Sequence, residues 1–346
     1  MAPRSARYST GDPDLDNRLW QLLDALGVKR DRDQLFEILV TEALLADDDT
    51  DRLNLKITNA ALKEMRLAFK VFAQYEGVPK VTMFGSARTL PDDPLYGQAR
   101  DLASALAAEG WMVVTGAGPG IMAAGVEGAG IDRSIGVNIR LPFEQDPSPL
   151  LAEDPKLVEM KYFFTRKLML MKESAGFAVL PGGFGTLDEA FELLTLLQTG
   201  KAAPAPIVLL DVPNGTYWRS WDRFVRDELM TRGVISAQDE HLYFITDDVE
   251  AASAEIRGFY RNYHSLRYVG QILVIRLRRP PEPRELVRLN EGFADICVDG
   301  PIELTDPLPA EVSTGDNLDL ARICLPFDKH NYGRLRQLID ALNDLA

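Results

Sequence analysis

The sequence predicts an α/β fold in which a parallel sheet is covered by helices on both faces, with a helical segment before it and a small α+β segment after it. Two observations carry this expectation. From Lys80 to about Gly258 short apolar runs alternate with stretches of helical periodicity, and the chain changes character on either side of that span. The runs Val81–Phe84, Met112–Thr115, Ile135–Ile139, Phe177–Leu180 and Ile207–Leu210 are largely apolar instead of alternating, as strands buried on both faces are. Right-handed crossovers between them give a Rossmann-like sheet.

Taken in order, Asp14–Tyr75 reads as helices, and Leu62, Met65, Phe69 and Phe72 recur at intervals that place them on one packed face. The spacing of Asp12, Asp14 and Asp16 imitates a calcium loop. Asn17 stands where that loop needs Gly and Leu23 where it needs a bidentate Glu, so calcium is discounted. Beyond the central span, Arg261–Leu266 reads as a linker. Ile272–Leu277, Ile302–Thr305 and Ala321–Leu325 then read as strands, and Arg284–Phe293 and Tyr332–Leu345 as helices. This order suggests a small antiparallel sheet with helices on one face, similar to ferredoxin-like domains. The expected division is therefore a helical extension over 1–78, an α/β domain over 79–260 and an α+β domain over 266–346.

Bulk properties narrow the partners. The 346 residues carry a formal charge of -14, which argues against nucleic acid, because that recognition depends on clustered Lys and Arg. An anionic ligand must be held locally, by backbone N–H groups and a few arginines. Cys297 and Cys324 are far apart and form no CxxC pair, so they read as free thiols of a reducing cytosol. No apolar leader opens the chain and no uninterrupted apolar run suits a membrane span, so the protein is expected to be cytoplasmic, with no membrane partner. His241, His264 and His330 lie away from the motifs below, leaving no His-dependent triad and no zinc-ligand spacing.

The chemistry is concentrated in Pro181-Gly-Gly-Phe-Gly-Thr-Leu-Asp-Glu189, which joins an apolar strand to a helical pattern over Ala190–Thr199. Gly182, Gly183 and Gly185 can bring bare N–H groups to an anion at the positive end of that helix, with Thr186 beside them. A second loop, Gly116-Ala-Gly-Pro-Gly120, follows Trp111–Thr115 and precedes a helix over Ile121–Gly128, so Gly116, Gly118 and Gly120 are further anion-binding candidates. It is not a dinucleotide fingerprint, because Ile121 occupies the third glycine position and Gly136–Arg140 offers no acid for a ribose. Neither loop is followed by the Gly-Lys-Ser/Thr of a Walker loop. Ser86, after the first strand, is placed to hydrogen-bond a phosphate or ribose, with Arg88 adding charge. From spacing alone, Thr186 and Glu189 also match a capping box that would explain both without chemistry.

Together, Phe84-Gly-Ser-Ala-Arg88, Thr115-Gly-Ala-Gly-Pro-Gly-Ile-Met122, Thr165-Arg-Lys167 and the Pro181–Glu189 motif resemble the LOG ("Lonely Guy") family, formerly labelled possible lysine decarboxylases, over roughly Lys80–Ile256. Two departures stand out. Ala117 interrupts the family's glycine run, and Phe163-Phe164-Thr165 replaces its Met-His before the arginine. The resemblance implies hydrolysis of the N-glycosidic bond of a nucleoside 5'-monophosphate, with Arg166 and Glu189 as the catalytic pair and Lys167 next to them. Met122 would touch the base, no cofactor or metal would be needed, and the protein would form a homodimer or higher homo-oligomer. The alternative is a non-catalytic nucleotide- or cofactor-binding protein with a regulatory C-terminal domain. Decarboxylation lacks support, since no lysine has a recognisable pyridoxal phosphate context.

Overall fold

The computed structural model describes residues 8–140 and 150–346. Its packing forms two compact units, Met1–Glu64 and Met65–Ala346. In the smaller unit the helices Pro13–Ala25 and Arg32–Asp47 close on Leu23, Phe36 and Val40, with Trp20 stacked on Phe36 at a centroid distance of 4.3 Å. The calcium-like acids have a local use. Asp12 Oδ1 accepts from Asp14 N at 2.8 Å and caps the first helix, whose first residue is Pro13, while Asp16 Oδ1 accepts from Thr10 Oγ1 at 2.7 Å.

A third helix spans Arg52–Phe72, and its turns from Met65 onward belong to the larger unit. The expected packed face needs correcting there. Ala68 and Phe72 are buried, whereas Phe69 is turned outward under the Lys172 ammonium at 5.3 Å. Residues three and four apart share a face only while the stripe does not drift, and here the alanine holds the core position.

The larger unit is organised on seven strands, β1 (Lys80–Phe84), β2 (Met112–Thr115), β3 (Ser134–Ile139), β4 (Leu157–Met160), β5 (Gly176–Val179), β6 (Ile207–Leu210) and β7 (Phe244–Thr246). Their order is β4-β3-β2-β1-β5-β6-β7 and every neighbouring pair is parallel. The sheet is therefore Rossmann-like, as the apolar runs predict. β4 and β7 escaped the sequence reading because both are edge strands, short and partly exposed, and so lack a continuous apolar run. Successive strand residues feed two separate apolar cores. Along β5 and the residue that follows it, Phe177 and Val179 enter one and Ala178 and Leu180 the other.

The direction in which strands are added to the sheet reverses between β1 and β5. The chain runs outward from β1 to β4 and then crosses back to β5, which opens a crevice outside the carboxyl ends of β1 and β5. Loops from β1, β2, β3 and β5 meet there.

The segment expected to be a linker is instead part of a strand. β8 (Tyr263–Val269) pairs antiparallel with β9 (Ile272–Leu277) through a tight turn with Gly270 at φ 64, and the sheet is completed by β10 (Glu303–Leu304) and β11 (Ala321–Leu325) in the order β10-β11-β9-β8. His264, Ser265 and Arg267 make β8 look like a polar connector, yet Tyr263 is buried in the cluster that the helices Pro283–Phe293 and Tyr332–Asn343 complete on one face. Charge closes the other face. Arg276 and Arg322 stand directly opposite one another on β9 and β11, and Glu311, fully buried on the helix Pro309–Thr314, lies 2.7 Å from Arg276 Nη2 and 3.0 Å from Arg322 Nη1. Asp316 adds a second anion, 2.6 Å from Arg276 and 3.0 Å from Arg267.

This second sheet is bonded to the α/β body through two buried amides. Asn343 Oδ1 accepts from Asn262 N at 2.9 Å and Tyr263 N at 2.8 Å, its Nδ2 donates to Phe259 O at 2.7 Å, and Asn262 Nδ2 donates to Leu342 O at 2.9 Å. Asn343→Ala strands two backbone N–H groups and one carbonyl at about 1–3 kcal/mol each. We expect it to lower the unfolding free energy in urea by at least about 3 kcal/mol, with Asn343→Asp, which keeps the acceptor, losing less. A loss below about 1 kcal/mol would show that the junction does not depend on this side chain.

Candidate active site

The loops at the carboxyl ends of β1, β2, β3 and β5 enclose a cleft of about 1070 Å³. Its walls include Ser86, Arg88, Gly116, Gly118, Met122, Arg166, Gly182, Gly183, Gly185, Thr186 and Glu189. Of the residues singled out from sequence, Gly120 and Lys167 are not on its surface.

Backbone contacts lock the loops together at Ser86. Its N–H donates to Pro181 O at 3.4 Å, its carbonyl accepts from Ile121 N at 3.0 Å, and its hydroxyl accepts from Arg88 N at 3.0 Å. Gly120 serves that junction. It adopts φ 67, and a Cβ on it would overlap Ser86 O and the Ala87 backbone. Ala117 also takes positive φ, at 56, where its N–H donates to Thr115 Oγ1 at 3.1 Å.

The glycines do different work in the two loops. A Cβ at Gly116 would overlap the Arg166 guanidinium and crowd Met122 Sδ, and one at Gly118 would crowd the Met122 methyl. Those two residues make room for side chains. Gly183 and Gly185 instead face open space. The helix Phe184–Gln198 starts at Gly183 without any side-chain cap, so its first-turn N–H groups point into the cleft at the positive end of the helix. Tyr217 steadies this loop from outside by donating its O–H to Gly182 O at 2.7 Å.

The helix therefore begins at Phe184 and not at Ala190, and the capping-box explanation of Thr186 and Glu189 does not hold. Thr186 is the third helical residue and Glu189 the sixth, a turn apart on one face. The first turn escaped the periodicity reading because it faces the cleft and not the core.

Arg166 sits in the first turn of the helix Phe163–Lys172, beside fully buried Thr165, whose hydroxyl donates to Tyr162 O at 2.9 Å. Its Nε donates to Val137 O at 2.9 Å, and its Nη1 lies 3.8 Å from Glu189 Oε1, a charge contact beyond hydrogen-bond length. Both residues are 9% exposed. Burial pushes the Glu189 carboxyl up to about 7 against the opposing pull of Arg166 and Lys167. Lys167 points away to Asp188 at 2.5 Å and Glu192 at 2.7 Å, which outweigh its own desolvation and keep its ammonium above the usual range.

Among the lining residues that were not predicted as site residues, Asn138, Phe163 and Phe184 bear on the chemistry. Asn138 is a polar residue near the carboxyl end of the apolar run of β3, and that interruption was a readable signal. Phe184 lies inside the Pro181–Glu189 motif, and Phe163 opens the segment by which the chain departs from the family before Arg166, but neither was predicted to line the site. Among the described residues no cluster of three or more His, Cys, Asp and Glu could hold a metal ion, and no helix is long and apolar enough to cross a membrane.

An open parallel sheet with an uncapped helix start and a buried Arg–Glu pair at its switch point defines an α/β protein with a cleft at the carboxyl ends of its strands. Residues 119–256 match the family described as "Possible lysine decarboxylase", which supports the resemblance to the LOG family over that segment. A cytokinin riboside 5'-monophosphate phosphoribohydrolase of Arabidopsis thaliana is 38% identical over 77 residues, which is 22% of this chain and about a third (34%) of that relative's length. Among solved structures, the molybdenum cofactor binding protein of Rippkaea orientalis is 20% identical, covering 53% of this chain and 97% of its own, with a TM-score of 0.37. The molybdenum cofactor carrier protein of Chlamydomonas reinhardtii is 21% identical, covering 52% and 96%, with a TM-score of 0.36.

The raised Glu189 carboxyl makes a stability prediction that needs no substrate. Its folded value, about 7, lies above the unfolded carboxylate range near 4.5, so the folded state holds this proton more tightly. Stability is then lost as pH rises from about 4.5 to about 7 and is level above. Glu189→Gln removes the titration. The variant should gain on the wild type across that window, by on the order of 3 kcal/mol at most, with the difference constant above pH 7.5. Parallel denaturation curves at pH 5, 6, 7 and 8 measure it, and a pH-independent difference would remove the buried-anion account.

Proposed function

We propose that the cleft hydrolyses the N-glycosidic bond of a nucleoside 5'-monophosphate to the free base and ribose 5-phosphate. The observation that carries the reading is the placement of Glu189 on the helix whose uncapped N-terminus faces the same cleft. Phosphate bound to the N–H groups of Phe184, Gly185 and Thr186 would lie about 7.5 Å along the helix axis from Glu189, at 1.5 Å per residue. A ribose fills that gap. The name of the Arabidopsis relative supports the substrate class.

In this reading water adds to the anomeric carbon as the C–N bond breaks and its electron pair leaves with the base. The water gives up one proton and the base gains one. Glu189 as carboxylate orients the water and stabilises the positive charge that develops on the sugar. Arg166, fixed by Val137 O, offsets the charge of that carboxylate and faces the ribose. No step calls for a metal or redox cofactor.

The test is release of free base from a panel of nucleoside monophosphates. Nucleosides without the 5'-phosphate should react far more slowly, since the helix start supplies binding and alignment. Equal rates for nucleoside and monophosphate would overturn the phosphate assignment. Glu189→Gln should bind a monophosphate yet lose on the order of a hundredfold in turnover. Because the reaction needs the ionised carboxyl, kcat/KM should rise with pH through about 7 in the wild type, and this limb should vanish from the residual activity of the variant. A pH-independent wild type would remove Glu189 from the chemistry.

A further inference from the structure

Phe184 and Phe163 are large apolar side chains left in solvent at the border of the cleft. Phe184 is 94% exposed and Phe163 54% exposed, and both line the cavity. A buried Phe would stabilise the fold by about 1.5–3 kcal/mol, so an aromatic that touches almost nothing adds little to folding. Phe164 differs. It is exposed too, but it stacks on Tyr162 at 5.7 Å and is absent from the cavity wall.

The polar groups of the cleft are mostly committed elsewhere. The Ser86 hydroxyl accepts from Arg88 N, Thr186 lies against Gly182, and Arg166 faces Glu189. Among the described residues that line the cleft, Asn138 alone carries a side-chain amide. Strict reading of a base edge takes several fixed donors and acceptors whose loss leaves buried groups unpaired. One amide, which offers both a donor and an acceptor, does not form such a set.

Resting on the hydrolase reading above, we infer that the base is held by stacking against Phe163 and Phe184, and that the site ranks nucleotides by ring area instead of reading base identity. Stacking on an aromatic side chain tolerates every base, because each presents a π face. Purines are favoured over pyrimidines. Departure of the base leaves ribose 5-phosphate with no aromatic partner.

The experiment uses Glu189→Gln protein, so that nucleotides survive, and measures dissociation constants for adenosine 5'-monophosphate, uridine 5'-monophosphate and ribose 5-phosphate by titration calorimetry. Phe163→Ala and Phe184→Ala are added to that background. Both side chains are exposed, so neither change threatens folding. Each should weaken the adenine nucleotide about 5- to 150-fold, the equivalent of about 1–3 kcal/mol of stacking. The uracil nucleotide should weaken less, and ribose 5-phosphate should stay within about twofold. Unchanged adenine-nucleotide affinity in both variants overturns the inference. So does an equal loss for all three ligands accompanied by a change in sedimenting mass, which would make the phenylalanines an interface between copies of the chain. Wild-type protein that binds as expected but releases no base overturns the hydrolase reading alone, and protein that binds none of the three overturns both.

Discussion

Seating the Arg166 guanidinium against the Gly116 backbone, with Nε on Val137 O, is the constraint on which the cleft depends. The side chain starts on the helix after β4, crosses to a carbonyl of β3, and occupies space that only a glycine at the end of β2 leaves open. Three separate parts of the sheet must therefore be in register before the guanidinium can reach Glu189. A slip of one residue in β3 would turn the Val137 carbonyl away from it. The glycine-rich turn after β2, which looks like a phosphate loop, is in this respect a socket for a cation. The open glycines after β5 are the ones left for an anion.

That division explains why the Glu189 carboxyl titrates near neutrality. A partner cation at 3.8 Å and no hydrogen bond from a helix cap leave desolvation dominant. Had the helix started three residues later, Thr186 and Glu189 would have capped it and the carboxyl would have been held in its charged form. Placing the acid one turn inside the helix trades local stability for a group poised between its two protonation states.

Much of the fold was legible in the sequence because the central strands are buried on both faces, and burial on both faces is written as largely apolar runs. The edge strands β4 and β7 and the amphipathic β8 were not legible for the same reason, since β4 and β7 are short and partly exposed and β8 has a polar side. In the cleft, the glycine loops were found from their strand–loop–helix setting and Arg166 and Glu189 through the family resemblance, while the helix start was misplaced because its first turn faces the cleft and not the core. Asn138 was visible as a polar break in an apolar run. Phe163 and Phe184 were not visible, because exposure is a property of the folded surface and not of residue type.

The ionic cluster of Glu311, Asp316, Arg276 and Arg322 sets the second sheet apart from the first in its response to heat. Both faces of the seven-stranded sheet are apolar, and the stabilisation from apolar burial levels off as temperature rises. The smaller sheet has one apolar face and one closed by buried charge, whose desolvation penalty falls as temperature rises. As a sample is warmed, the charged face becomes less costly to keep dry. The balance between the two sheets therefore shifts with temperature, and the C-terminal sheet takes a larger share of the cohesion of the unit when the protein is hot than when it is cold.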